Sequence, residues 1–142
     1  MFFSQDRNQI RKFFQEAWRK QQDGLPLQAL ESMIVDVVAM HPEYHVLLEK
    51  IDLDQEYLPE NGQTNPFLHM GMHIALREQL STNMPQGITA LHQKLLNRIQ
   101  DTHETEHQIM DCLAEALWQA QRNNTAPDEI QYLACIKNLV NT

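Results

Sequence analysis

Two cysteines, four glycines and six prolines are all that this 142-residue chain contains of the residues that staple or bend a backbone. Cys112 and Cys135 stand alone, with no C-x-x-C pairing, so two free thiols in the cytosol are the expected state. Few glycines and prolines mean few obligatory turns, and the abundance of Gln, Leu, Ala, Glu and Met favours helix. No apolar run reaches the ~20 residues of a membrane span. The opening MFFSQDRNQIRKFF lacks the apolar core and small-residue cleavage site of a signal peptide, so the expected location is cytoplasmic. Positive charge is also scarce. Eleven Lys and Arg stand against nineteen Asp and Glu, a formal net charge of −8, and neither nucleic acid nor an anionic membrane is the expected partner. With 42% hydrophobic residues, the chain has the means to fold as one domain spanning residues 1–142.

The pattern along the chain predicts an all-α, single-domain bundle of about seven helices, one of them short, with no sheet. The first runs from near Ser4 to Gln22 and ends at Asp23-Gly24. The second opens near Pro26 and is interrupted at His41-Pro42, because a residue before proline is pushed out of the helical region. A short third helix covers Pro42 to about Lys50, and a long loop is expected over 51–64. Asn65-Pro66 starts a fourth helix to Thr82 that is apolar on nearly every side. A fifth runs from Pro85 to about Gln100. Asp101 with Glu104 caps a sixth that ends near Asn123-Asn124, and Thr125 with Asp128 repeats the cap before the seventh.

Against this plain background, six of the seven histidines fall into pairs of one spacing: His41/His45, His69/His73 and His103/His107. Random placement would give roughly 0.3 such pairs by counting matches. Four residues is just over one helical turn, so both rings of a pair project from one face. Neutral imidazole is the commonest protein ligand for metals. With His103 at zero on the sixth helix, His107 falls at roughly 40° and Glu106 at about 300°, within an arc that holds Met110, Leu113 and Leu117. A carboxylate there is costly unless it is paired or metal-bound. The fourth helix places His69 and His73 on the side of Met72, Leu76 and Leu80. The candidate ligands are therefore His45, His69, His73, His103, Glu106 and His107, with Glu49 one turn beyond His45. Pro42 leaves the part of His41 open, and His92 is unpaired in sequence. A nitrogen and oxygen set without thiolate suits a divalent transition metal: Zn, Fe, Mn or Ni.

His103-Glu104-Thr105-Glu106-His107 also spells H-E-x-x-H, the zinc-peptidase signature, but Thr105-Glu106 is polar where such enzymes hold apolar residues, and no strand is expected to shape a peptidase cleft. The segments His41-Pro42-Glu43-Tyr44-His45, Asn65 to His73 (NPFLHMGMH) on through Arg77-Glu78-Gln79, and Glu106-His107 through Cys112-Leu113-Ala114-Glu115 with Trp118 resemble a family of small proteobacterial proteins known only as a domain of unknown function. The resemblance spans nearly the whole chain and implies a cytosolic single-domain protein, without supplying an activity. Hemerythrin-like bundles are an analogy of fold alone: His45 and Glu49 give one H-x-x-x-E, but no H-x-x-x-x-D occurs.

The sequence thus reads as a metal-binding helical bundle of hydrolytic or redox type, in which a metal-bound water would be the nucleophile and Glu106 or Glu49 the base. The alternatives are a protein with a structural or stored metal, an interaction module whose histidines are buried polar core and, as a minor one, an H-E-x-x-H zinc peptidase. The metal ion is the implied partner, and self-association as a homo-oligomer is left open.

Overall fold

Residues 7–50 and 65–142 are described by the computed structural model, so the loop expected over 51–64 and the helix start expected near Ser4 lie outside the described residues. Among the described residues there are seven α-helices, one of five residues, and no strand. They are α1 (Arg7–Gln22), α2 (Ala29–Ala39), α3 (His45–Glu49), α4 (Pro66–Thr82), α5 (Ile88–Ile99), α6 (Thr102–Asn123) and α7 (Glu129–Asn141). A 3-10 turn, Pro42–Tyr44, leads into α3.

The chain divides into two compact units, Met1–Ile74 and Ala75–Thr142. In the first, α1 packs on α2 and α3, around Phe14, Ile34, Val37, Val38, Leu48, Phe67, Met70 and Ile74. Glu31 ties the start of α2 by accepting from the Gln28 backbone N–H at 2.9 Å and from Lys20 Nζ at 2.8 Å. Asn65 caps α4, its Oδ1 accepting from the backbone N–H groups of Phe67 (3.0 Å) and Leu68 (3.2 Å). This satisfies donors that the first helical turn leaves without partners.

In the second unit, α5, α6 and α7 pack against one another. Asp101 caps α6 by accepting from Glu104 N, and Asn124 ends it in the left-handed region. The cap of α7 is Asp128, which accepts from Gln131 N, rather than Thr125. The two cysteines are not free thiols: Cys112 on α6 is disulfide-bonded to Cys135 on α7, with Cα atoms 5.8 Å apart. The packing of α6 on α7 brings them together across a sequence separation of 23, a distance at which no local spacing announces a pair.

A candidate metal centre

Pro42 governs the first part of the site. The residue before a proline is disfavoured in the helical region, and His41 takes φ −129° and ψ 71°. The chain turns a corner there, and the His41 ring goes inward, only 4% exposed. Because α2 has already ended and α3 starts only at His45, the i, i+4 argument does not apply to this pair. His45 instead donates Nε2–H to the Val38 carbonyl at 3.0 Å, and its ring lies 4.6 Å from Trp18. A helix-face pairing was expected from the spacing; the proline break separates the two rings.

α4 supplies the second part. Its unbroken helical geometry sets His69 and His73 on one side, with ring centroids 4.9 Å apart, and His73 is fully buried. His41 meets both: its ring stands edge-on to His69 at 4.8 Å, and its Nε2 lies 3.1 Å from His73 Nε2. The ring nitrogens that His41, His69 and His73 offer lie within 4.8 Å of one another, so this group can hold a metal ion. Two nitrogens bound to one tetrahedral zinc at about 2.0–2.1 Å stand about 3.3 Å apart, so the His41–His73 separation is already close to that of a ligand pair.

Two neighbours shape the group. Glu43 accepts from His41 Nδ1–H at 2.7 Å. In the neutral ring this leaves the His41 Nε2 lone pair pointing inward, where it accepts from His73 Nε2–H. Tyr44 stacks on His41 with centroids 5.0 Å apart. Burial, and then the nearby Glu43 charge, push the Tyr44 hydroxyl above its ordinary pKa, which keeps the phenol neutral.

The histidines of the second unit are set differently. The buried residues of α6 include Thr105, Glu106, Ile109, Cys112, Leu113, Ala116 and Ala120. With His103 at zero these lie between roughly 180° and 340°, so the expected arc is displaced and His103 and His107 sit at its edge. Both are half-buried, with ring centroids 4.1 Å apart. Leu117, expected inside, is exposed. Glu106 is buried as expected, 3% exposed, and its oxygens go to Arg77, whose Nε lies 3.4 Å from Oε1 and 3.3 Å from Oε2. Glu104, the base that a zinc peptidase would use, is exposed and accepts from Gln108 at 3.2 Å. Glu49 is exposed at the end of α3. His92 has a buried Nε2 with no hydrogen-bond partner among the described residues. Burial lowers its pKa, against a smaller opposing effect of the Glu106 charge. A cavity of about 390 Å3 by the disulfide is lined by Cys112, Glu115, Gln119, Asp128, Tyr132 and Cys135, with no histidine on its walls.

Sequence reasoning leaves the part of His41 open and does not single out Glu43. The signal for both is Pro42, which the sequence offers as a helix break and as the first residue of a short helix.

Fold and site together define a class: all-helical chains in which imidazoles from a proline corner and from a long helix converge in a buried cluster. The match of a family model over residues 6–138 goes further, and the chain belongs to that family, described as a domain of unknown function (DUF1841). No curated protein and no solved structure matches it.

Proposed function

We propose that this chain is a metal-binding protein, a single metal-binding domain over residues 1–142, in which His41, His69 and His73 are ligands of a divalent transition metal. The observation that supports it best is the convergence of three imidazoles whose ring nitrogens lie within 4.8 Å of one another, one of them fully buried. Buried imidazoles need partners for their nitrogens, and a shared ion is the partner that suits several at once. Imidazole donors select zinc, iron or nickel over magnesium and calcium, which take oxygen ligands.

Three imidazoles leave one position of a tetrahedral ion for water, the arrangement a hydrolytic site needs, while a fourth protein donor there would make the ion structural or stored.

The test is metal titration of the full chain with Zn2+ and with Co2+, whose visible spectrum reports coordination. About one ion should bind per chain, and chelator should lower the melting temperature, because a metal that binds only the folded state stabilises it. His69→Ala and His73→Ala should each weaken binding by more than about 100-fold, beyond the range expected for a residue that only supports a ligand. His92→Ala should not. A chain that binds neither ion, and melts identically with and without chelator, would leave the histidines as ordinary polar core.

A further inference from the structure

Neutral imidazoles bring no negative charge to a dication, and a ligand ring needs its outer nitrogen held if its inner lone pair is to aim at the ion. Within the described cluster, His41 meets both needs. Its Nδ1 is engaged by the Glu43 carboxylate at 2.7 Å, and its Nε2 faces His73 Nε2 at 3.1 Å. A carboxylate only accepts, so the proton sits on Nδ1 and the inner nitrogen carries the lone pair. Glu43 reaches this position because the 3-10 turn Pro42–Tyr44 follows His41 directly, and a two-residue step brings the side chain back over the ring. Tyr44 closes the other side by stacking on the same ring, only 17° from parallel.

We infer that Glu43 is the positioning residue of the site: it fixes the His41 tautomer, aims Nε2 at the ion, and adds negative charge through the imidazole without touching the metal. The inference rests on the metal-binding reading above. Glu43 itself is largely exposed, its side chain 59% accessible, so its carboxylate is not needed by the core.

The experiment compares Zn2+ affinity and the Co2+ spectrum of the full chain for wild type, Glu43→Ala and Glu43→Gln. Glu43→Ala should weaken Zn2+ binding by about 10- to 100-fold, the range seen when such an outer carboxylate is removed. Glu43→Gln, whose amide oxygen still accepts from Nδ1–H, should recover part of that loss. The Co2+ spectrum should keep its shape in all three, because the ligand set is unchanged. Unaltered affinity in Glu43→Ala would overturn the inference, as would a spectrum that changes geometry with the substitution, since Glu43 would then be a ligand. A wild-type chain that binds no metal would instead sink the metal-binding reading itself, so the two failures are distinct.

Discussion

The histidine pairs on α4 and α6 have the same spacing and different surroundings. His73 is fully buried on α4, whereas His103 and His107 lie at the rim of the buried face of α6. The spacing places two rings on one side of a helix in both cases. What that side meets is decided by the rest of the helix. α4 buries Phe67, Met70, Met72, Ile74 and Leu76, residues spread around most of its circumference, so nearly any side is core. α6 is amphipathic, and its buried arc centres on Ile109, Leu113 and Ala116. A repeated motif thus fixes which side chains are neighbours, and the apolar pattern around it fixes how deep they go.

The two units also stabilise polar groups differently. The first gathers imidazoles beside the Lys20–Glu31 pair; the second joins the Arg77–Glu106 pair to a disulfide. Three measurements would break or sharpen that contrast. The largest effect should come from Arg77→Met. It removes the guanidinium beside the buried Glu106 carboxylate, and the cost should be about 3 kcal/mol in urea unfolding. Adding Glu106→Gln should recover much of it, because the buried carboxylate charge is then gone as well. A cost near zero for the single variant would mean that water reaches Glu106 and that the second unit is less dry than described.

Reduction of Cys112–Cys135 comes next. The bond joins residues at a sequence separation of 23, and its loss should lower the unfolding free energy by about 3 kcal/mol through the freed denatured chain. Zn2+ affinity should be the same before and after reduction, since the cavity beside the disulfide is not lined by any histidine. A parallel loss of affinity would erase the distinction between the metal-binding part and the cross-linked part.

The smallest effect belongs to His92. Burial lowers its pKa in the folded chain, while the unfolded chain takes a proton near the ordinary value of about 6.5. Below that pH the unfolded state therefore binds more protons. The contribution of His92 is fully present above about pH 6.5 and is lost as pH falls toward its depressed native pKa. The slope of stability against pH in that window should be shallower in His92→Gln than in wild type. Identical slopes would show that His92 is as hydrated folded as unfolded.

Local signals carried most of the fold. Asn65-Pro66 predicted the start of α4, and its bounds, Pro66–Thr82, are those expected. Asp101 caps α6 as its spacing to Glu104 suggested. These are features that a few adjacent residues decide. The cap of α7 was misplaced by three residues because Thr125 and Asp128 both satisfy the rule, and only the packed chain chooses between them. The disulfide was not legible, because it depends on how α6 registers against α7. At the candidate site, His69 and His73 were readable from one continuous helix. His41 was not, since its role arises where the helix fails, and the His45 ring turned to Trp18 for the same reason.

Pro42 also acts before the chain folds. The steric clash between its ring and the preceding backbone biases His41 away from helical angles in the unfolded ensemble as well as in the native one. Folding therefore surrenders less conformational freedom at this residue than at an ordinary one. Glu43 lies only two positions downstream, so the contact with the imidazole closes over a very short span and draws on no distant packing. The corner His41-Pro42-Glu43 is, in effect, a pre-shaped half-site whose geometry is encoded in three consecutive residues, onto which α4 brings the remaining nitrogens as the helix docks.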